Sequence, residues 1–494
     1  MSPVREQEPP EFGSAVSLQV RATKGVLWSL IQTAGTRISA LATLAVLAQV
    51  LRPADFGVVA YATVFLSFVS IFQEQGLSLA IVQRRDLQRE HLDSAFWVGT
   101  LVSTGLAAVV VVTAPWLAGP LHEPQLAGVL RALSLSLVIT AVGAVPAALL
   151  QKSLRIQTLT VVSVIATLTA SGLSIGLALN GFGVWALVAQ ALTASATSTL
   201  LLWIVSDYRP AWRVSTRHFR ELIGFGVSML ALDVLNFANR RLDDLLVGIV
   251  LGPVALGYYS LAYRLLLLLT DLLVGTVSSV AMPVIAEIQE DLSKVRSAFY
   301  RATRAVAVVG FPGFLALVVI AQPAVSVLYG STWTPAVSVI RVLMFIGLLH
   351  AVLYQFNPVF NGMGRPGITV RLTAVNAIGN VIAFVIAVHW GYVAVAVAYV
   401  CRGYLLAPLY LWAGRRTFDL DVTTWLQQWW RALLAAAIAA GATVVPVVLL
   451  PARLGLALGL VTLTVGYVGV LTLVDRPAVS EMLAHGRVAL RPAA

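Results

Sequence analysis

Apolar stretches of membrane-spanning length alternate with short polar connections along nearly all of the 494 residues. A spanning α-helix needs about 20 consecutive, mostly apolar residues, and about fourteen stretches meet this requirement. Their approximate bounds are 25–50, 57–82, 95–118, 126–150, 158–179, 182–205, 221–250, 254–285, 303–322, 336–360, 367–389, 391–413, 429–450 and 454–474. Turn residues such as Arg52-Pro53, Asn180-Gly181 and Gly252-Pro253 separate them. The pattern predicts an all-α polytopic membrane protein with about 14 transmembrane helices.

Arginine and lysine residues between these stretches fall almost entirely on one side of the predicted membrane. If the N-terminus is cytoplasmic, the outer connections contain only Arg52 and Arg453, with Arg131 near that interface. The inner connections then hold most of the other basic residues, among them Arg84, Arg85, Lys152, Arg155, Arg209, Arg213, Lys294, Arg296, Arg365, Arg415 and Arg416. Because cytoplasmic loops are enriched in lysine and arginine, both termini are predicted to be cytoplasmic.

Composition disfavours a soluble enzyme. Only 11% of the residues are charged and 59% are hydrophobic, whereas soluble domains carry about 25% charged residues. The net charge of +11 is better explained by loops that face anionic lipid than by nucleic-acid binding. With one cysteine, Cys401, and six scattered histidines, the sequence predicts no intrachain disulfide, no metal site and no cofactor.

Two internal repeats indicate that the chain consists of two related halves. Residues 50–57 (VLRPADFG) recur as 250–257 (VLGPVALG), and 130–133 (LRAL) recur as 340–343 (IRVL). The two pairs keep nearly the same register and fall at equivalent places in the topology. Transporters with parallel repeats hold substrate between the halves and alternate access by rocking. The predicted organisation is a cytoplasmic tail (1–24), an N-terminal six-helix bundle (25–206), a cytoplasmic linker (207–220), a C-terminal six-helix bundle (221–413), a cytoplasmic loop with helices 13 and 14 (414–475), and a cytoplasmic tail (476–494).

Charged residues inside the predicted spans are the candidates for function, because charge at this depth is costly and marks a pathway or an ion pair. On helix 7, Asp233, Asn236, Arg240 and Asp244 share one face. Guanidinium groups match phosphate oxygens and stay charged. The candidates for a cationic substrate cavity are Arg37, Arg240, Arg241, Arg264 and Arg402, and those for ion coupling are the carboxylates Glu74, Asp233 and Asp271.

The alternative for helix 7 is structural pairing, of Arg240 with Asp244 or of Asp233 with Arg240. Each pair would neutralise a charge that must stay buried. Arg131 and Arg341 lie close enough to the outer interface to extend into water, so we expect anchors there.

Several other motifs favour structural explanations. The run from Gly362 to Gly367 matches G-x-G-x-x-G, but it joins two spanning helices and is predicted to be a turn. Asp419 and Asp421 resemble a metal-binding acidic pair, yet they lie in a short loop with no domain around it. Interface anchoring is predicted for Trp28, Trp116, Trp333, Trp429 and Trp430, and residues 425–431 are predicted to lie along the membrane surface before helix 13.

The sequence motifs resemble those of a known exporter family. The residues that carry the resemblance are 51–57 (LRPADFG), 75–77 (QGL), 80–83 (AIVQ) and 252–262 (GPVALGYYSLA). They are similar to the polysaccharide flippases of the multidrug/oligosaccharidyl-lipid/polysaccharide (MOP) exporter superfamily, in the branch of colanic-acid and exopolysaccharide exporters. The resemblance covers about residues 25–475 and is specific for the family, but says little about the substrate.

The resemblance implies two six-helix bundles in a V shape with two further helices. It also implies transfer of an undecaprenyl-diphosphate-linked oligosaccharide across the bacterial cytoplasmic membrane. A polysaccharide polymerase and a chain-length regulator are candidate partners, and the sequence leaves open whether the protein acts alone or beside them. The alternatives are a small-molecule or drug antiporter of the same superfamily, a lipid II flippase and a membrane enzyme. A cationic-drug site would favour unpaired carboxylates, whereas arginine is the more frequent charge at depth here. An enzyme of this kind would need a large outer loop or a soluble domain.

Overall fold

A computed structural model describes residues 39, 41–74, 81–82, 84, 86–119, 123–212 and 216–475, and within these ranges all regular structure is helical. Side chains at 74, 213–232, 276–277 and 279–280 lie outside the description. Twelve helical segments in the described ranges are long and apolar enough to cross a membrane, with Asp233–Gly275 counted as one segment although it is broken at Gly252. The polytopic helical fold predicted from the hydrophobic pattern is therefore confirmed.

The helices of the N-terminal part follow the predicted stretches closely. Their bounds are Leu41–Val50 (α1), Pro53–Glu74 (α2), Arg89–Ala118 (α3), Pro124–Lys152 (α4), Ile156–Leu179 (α5) and Val184–Val205 (α6). Among the described residues, the first predicted span contributes the apolar helix 41–50, which is shorter than a membrane-spanning helix. α3 packs against α4, α5 against α6, and α4 against both α2 and α6.

A single residue separates α7 from α8. Residues 216–270 would form one continuous helix, but Gly252 adopts φ 84° and ψ 176° and breaks it. A positive φ of this kind is accessible to glycine without steric cost. The break gives α7 (216–251) and α8 (253–288), the latter with one π-helical turn at Asp271–Gly275.

The remaining helices complete the chain to Val474. They are Leu292–Leu328 (α9), Ala336–Leu353 with its extension Phe356–Gly362 (α10), Pro366–Ala387 (α11), Tyr392–Phe418 (α12), Val422–Leu449 (α13) and Ala452–Val474 (α14). α9 begins eleven residues before the predicted span, because Asp291 accepts hydrogen bonds from the backbone N–H groups of Ser293 and Lys294. This N-cap lets the helix extend beyond its apolar segment.

The first repeat forms a reciprocal contact between α2 and α8. A Cβ atom added to Gly57 would lie 1.7 Å from the carbonyl oxygen of Pro253. A Cβ added to Gly257 would lie 2.1 Å from the carbonyl oxygen of Pro53. Glycine at both positions thus allows the backbones to meet. Equivalent residues of the two repeats make equivalent contacts across one crossing, which supports the predicted division into two halves.

The second repeat shows the same equivalence. Arg131 donates through Nε to the carbonyl oxygen of Val111 at 3.3 Å, and Arg341 donates through Nε to that of Val318 at 3.2 Å. Each arginine thereby binds the helix that precedes its own. Both residues are exposed, as expected for residues near the membrane interface.

The prediction that Trp333 is an interface anchor is wrong. Trp333 is fully buried, and its ring packs edge-on against Phe56 and Tyr258. Its indole N–H donates to the carbonyl oxygen of Ala48 at 2.8 Å. The side chain therefore connects the α1–α2 corner to α8. Trp116, by contrast, is 73% exposed as an anchor should be, and Trp28 lies outside the described residues.

The halves pack tightly at the end of α2 that is predicted to face outward. The void between Val58, Tyr61, Gly248 and Pro253 measures about 10 Å³, which holds one water at most. Contact continues along α2 to Phe68, whose ring centroid lies 5.3 Å from that of Phe237 on α7.

The two last helices pack beside α9. Tyr467 on α14 donates to the carbonyl oxygen of Val308 on α9 at 2.6 Å. The prediction that residues 425–431 lie along the membrane surface is wrong, because they form the first turns of the continuous 28-residue α13. Trp425 is buried against Phe356, and the carboxylate of Asp421 caps the helix by accepting from Thr423 and Thr424.

Candidate substrate site

An acidic pair on α7 forms the most deeply buried charged group of the candidate site. Asp244 accepts a hydrogen bond from Arg241 at 3.4 Å, and only 4% of its side chain is exposed. Asp243 is equally buried and accepts a hydrogen bond from the hydroxyl of Tyr259 at 2.8 Å. Burying two adjacent carboxylates costs desolvation free energy. The hydrogen bonds from Arg241 and Tyr259 offset part of this cost.

The predicted ion pairs of α7 are therefore wrong in detail. Asp244 pairs with Arg241 three residues before it, not with Arg240 four residues before it. Both spacings place side chains on neighbouring positions of a helix, so spacing alone does not decide between them. Asp233 and Arg240 are both exposed, and in the described part of the chain no ion pair joins them.

Arg264 on α8 lies near the same acidic pair. It interacts electrostatically with Asp244 and Arg241, although it stands outside ion-pair distance of any carboxylate among the described residues. Its side chain is exposed. Asp244 thus lies near two guanidinium groups, and together with Asp243 the site holds two carboxylates and two guanidinium groups.

Arg402 on α12 has a neutral partner. Its guanidinium donates to the amide oxygen of Asn376 on α11 and lies 5.0 Å from the ring centroid of Tyr399. The aliphatic part of Arg402 passes over Gly379, where an added Cβ would come within 3.3 Å of Cδ. Its Nε is buried without a hydrogen-bond partner. Among the described residues, no carboxylate therefore pairs with the charge of Arg402, and its Nε–H has no acceptor.

A histidine interacts electrostatically with two of the predicted arginines. His350 on α10 is within electrostatic reach of both Arg402 and Arg240. Its ring packs against Tyr354 at 4.9 Å between centroids, and its Nδ1 is buried without a hydrogen-bond partner. Electrostatic interactions therefore connect Arg240, His350 and Arg402 within the predicted C-terminal half.

The two predicted carboxylates whose side chains are described, Asp233 and Asp271, lie on different helices. Asp233 lies on α7, and Asp271 opens the π-helical turn of α8 and interacts electrostatically with Tyr354. π-Helical turns occur frequently at functional sites. Glu74 is the last residue of α2, but its side chain lies outside the description, and Arg37 lies outside the described residues altogether.

Sequence reasoning missed the neutral polar residues and tyrosines of this region. Asn380 on α11 donates to the side-chain oxygen of Asn239 on α7 at 2.7 Å. Tyr263 stacks on Tyr259 and approaches Tyr399 at 6.3 Å between centroids, which links the acidic pair to the surroundings of Arg402. The spacing of Asn376 and Asn380, four residues apart within an apolar helix, was the available signal.

The enzyme-like motifs have the structural roles expected of them. Gly364 adopts φ 69° in the turn that joins α10 to α11, and Asp421 caps α13. Hydrogen bonds from Thr423 and Thr424 hold the pKa of Asp421 well below its usual range. In the described part of the chain, no three histidine, cysteine, aspartate or glutamate side chains are grouped to hold a metal ion.

Comparison with known proteins extends these observations. A family profile described as polysaccharide biosynthesis protein matches residues 46–338. The succinoglycan biosynthesis transport protein ExoT of Rhizobium meliloti (strain 1021) is 27% identical over 358 residues, covering 72% of each chain. The lipopolysaccharide biosynthesis protein WzxC of Escherichia coli (strain K12) is 27% identical over 343 residues, covering 68% of this chain and 69% of that one.

Solved structures share the fold at lower identity. The lipid II flippase MurJ in an inward closed conformation has a TM-score of 0.75 at 15% identity and covers 92% of this chain and 100% of its own. An inward-facing multidrug resistance MATE family transporter of the MOP superfamily has a TM-score of 0.53 at 19% identity, with coverage of 80% and 94%. The fold is thus that of MOP-superfamily transporters.

Proposed function

Because the chain belongs to the polysaccharide biosynthesis protein family, we propose that it moves an undecaprenyl-diphosphate-linked oligosaccharide from the inner to the outer leaflet of the bacterial cytoplasmic membrane. The diphosphate and sugars cross along a polar path, while the polyprenyl tail stays in lipid. The repeat unit then becomes available to a polysaccharide polymerase and a chain-length regulator on the outer side. The identity of the sugar plays no part in this proposal.

The observation that carries the proposal is that Arg402 has no carboxylate partner among the described residues. Its guanidinium is half-buried, has the neutral Asn376 as its hydrogen-bond partner, and retains a buried Nε without a partner. A buried charge of this kind is costly unless a counter-charge arrives, and a phosphate group provides one together with two acceptor oxygens. His350 interacts electrostatically with both Arg402 and Arg240, and His350 and Arg240 are the proposed contacts for the rest of a diphosphate.

The proposed mechanism is alternating access by rocking of the two halves. Close packing of α2 on α7 and α8 near Gly57 and Gly257 shuts the predicted outer end. Among the described candidates, Arg240, Arg241, Arg264 and Arg402 all make their interactions within the C-terminal half. We therefore propose that the C-terminal half holds the diphosphate while the reciprocal glycine contact opens and closes the path. Glu74, Asp233 and Asp271 remain the proposed carboxylates for ion coupling.

An export assay tests the substrate site. In a strain without the chromosomal gene, we expect Arg402→Ala to lower polysaccharide export about 10-fold or more, because a hydrogen bond to a charged group contributes about 1.5–3 kcal/mol. Arg402→Lys keeps the charge but not the planar fork, so its export should be intermediate. Arg37→Ala should also lower export. The matched control is Arg416→Ala. Arg416 belongs to the same helix, and its guanidinium contacts the ring of Trp412 at the predicted cytoplasmic end.

Two outcomes would contradict the proposal. Wild-type export by both Arg402→Ala and Arg37→Ala, at unchanged amounts of protein in the membrane, would remove the case for a phosphate-binding cavity. Accumulation of an exported drug or of lipid II, rather than of the lipid-linked oligosaccharide, in cells without the protein would favour one of the alternative substrates.

The orientation is tested separately with reporter fusions. Fusions near residues 180 and 330 should report the periplasm, and fusions near 212 and 295 should report the cytoplasm. A reversed or mixed pattern would overturn the predicted cytoplasmic termini and the assignment of the outer end.

A further inference from the structure

A second polar site lies where α9, a helix of the predicted C-terminal half, meets α13 and α14. The pocket has a volume of about 480 Å³ and is lined by Arg304, Gln427, Gln428, Trp430, Arg431 and Asp475. Pockets of about 300–1,000 Å³ are typical of ligand sites. Two arginines and two carboxamides provide donors here, and one carboxylate provides negative charge. The carboxamide of Gln428 already donates one N–H to the carbonyl oxygen of Thr424 at 3.2 Å, which leaves its second N–H for a ligand.

The two arginines are in different electrostatic states. Arg304 donates to the carboxylate of Asp475 at 2.9 Å, and their side chains are 23% and 10% exposed. Arg431 is exposed and lies 5.8 Å from the ring centroid of Trp430, and no described carboxylate pairs with it. One guanidinium in the pocket is therefore neutralised and the other is available to an anion. The five donors of guanidinium match the oxygens of a phosphate group.

The surroundings indicate a ligand at the membrane surface. The pocket lies at the end of α13 and α14 that is predicted to face the cytoplasm. Next to it, α13 exposes Leu434, Ile438 and Val445, a row of apolar side chains suited to lipid tails. Trp430 is 45% exposed at the start of this row, as is common for tryptophan at the level of lipid headgroups. A basic pocket beside lipid-facing helices on this side suits an anionic headgroup.

We propose that this pocket binds a phosphate ester, the headgroup of an anionic phospholipid of the inner leaflet. Arg431 and the carboxamides of Gln427 and Gln428 contact the phosphate, and the acyl chains lie along the apolar face of α13. The carboxylate of Asp475 competes with the phosphate for Arg304, because it already accepts a hydrogen bond from that guanidinium. The bound lipid would hold α13 and α14 against α9. This site is separate from the one proposed around Arg402.

Opposite effects of two substitutions test the proposal. Native mass spectrometry of the purified full-length protein would measure binding of phosphatidylglycerol, with phosphatidylethanolamine as the zwitterionic comparison. Arg431→Gln should weaken phosphatidylglycerol binding about 10-fold, because it removes a charge-assisted contact. Asp475→Asn should strengthen it several-fold by freeing Arg304. Arg453→Gln, at the opposite end of the α13–α14 pair and also exposed, is the matched control and should change nothing.

The outcomes distinguish the sources of the phosphate. Unchanged phosphatidylglycerol binding by Arg431→Gln, or weaker binding by Asp475→Asn, would overturn the site. Glycerol 3-phosphate that binds as tightly as phosphatidylglycerol, with the same dependence on Arg431, would assign the pocket to a soluble phosphate ester and overturn the lipid source. Export assays on the same variants keep this result separate from the proposed function, since loss of lipid binding with normal export leaves the Arg402 site intact.

Discussion

The reciprocal glycine contact between α2 and α8 gives the sharpest prediction about transport. In Gly57→Ala the new Cβ would lie 1.7 Å from the carbonyl oxygen of Pro253. Real Cβ atoms essentially never approach another heavy atom within 3.0 Å, so the two backbones would have to separate by about 1.3 Å. The obstacle is a backbone carbonyl, which has no rotamer to change. Gly57→Ala should therefore disfavour the state in which the predicted outer end is closed.

The size of the effect follows from the cost of overpacking. Adding one carbon to a close-packed contact costs about 1–3 kcal/mol. If the open state does not contain this contact, the equilibrium shifts toward it by the same free energy, which is about 5- to 150-fold. Gly257→Ala should act in the same direction with a smaller effect, because its Cβ would lie 2.1 Å from the carbonyl oxygen of Pro53.

Cysteine accessibility measures this shift. Cys401 is the one cysteine in the chain, so Cys401→Ser provides a background without thiols. Val58→Cys then places a reporter in the small void between the halves, at a position that is 4% exposed. We expect a membrane-impermeant maleimide added to whole cells to label this cysteine at least 5-fold faster in the Gly57→Ala background, as long as the open state is minor.

A matched glycine controls for helix propensity. Gly105 lies within α3, and nothing lies within 4 Å of the Cβ that an alanine would add. Gly105→Ala gains about the same 1 kcal/mol of helix propensity as Gly57→Ala without any steric overlap. Equal labelling rates in the Gly57→Ala, Gly257→Ala and Gly105→Ala backgrounds, at equal amounts of membrane protein, would refute the view that this contact opens during transport.

Two further predictions concern stability. Trp333→Ala should lower the free energy of unfolding by about 3–5 kcal/mol, since it removes a fully buried indole; an unchanged thermal unfolding temperature in detergent would contradict the packing described for it. Asp421→Asn should reduce the dependence of the free energy of unfolding on pH. Because folding lowers the pKa of Asp421, the ionised carboxylate stabilises the fold at pH values above the ordinary pKa of 3.8, and this stabilisation is lost as the pH falls below 3.8. Thermal unfolding between about pH 6 and 2 measures this, and identical pH profiles for both proteins would disprove it.

The positions of the helices were predictable because the signal for them is local. A run of about 20 apolar residues must form a helix in lipid, since every backbone polar group needs a partner there. The errors lie at helix ends, where capping decides the boundary. Asp291 and Asp421 each start a helix several residues before the apolar segment, so α9 and α13 begin earlier than the hydrophobic pattern predicts.

Contacts between distant residues were not predictable from spacing. Trp333 has the composition and position of an interface anchor, but Phe56 and Tyr258, from two other helices, enclose it. The partner of Asp244 depends on side-chain rotamers, which sequence spacing leaves open between Arg240 and Arg241. The hydrogen-bond acceptor of Arg402, Asn376, belongs to the preceding helix, whereas the ring centroid of Tyr399, three residues before Arg402, lies 5.0 Å from the guanidinium.

The glycine contact involves both halves equally, whereas the candidate arginines belong to one half, and we infer different roles for the two features. Gly57 and Gly257 are equivalent in the repeat and make reciprocal contacts, whereas the described candidate arginines belong to the C-terminal half. The two copies of the repeat nevertheless differ at one aligned position, Arg52 and Gly252. The backbone N–H of Arg52 donates to the carboxylate of Asp55 at 3.0 Å at the start of α2. Gly252 instead adopts a positive φ just before α8. A contact that both halves share equally suits a movement of one half against the other. A charge cluster in one half suits a ligand that stays bound to that half as the movement occurs.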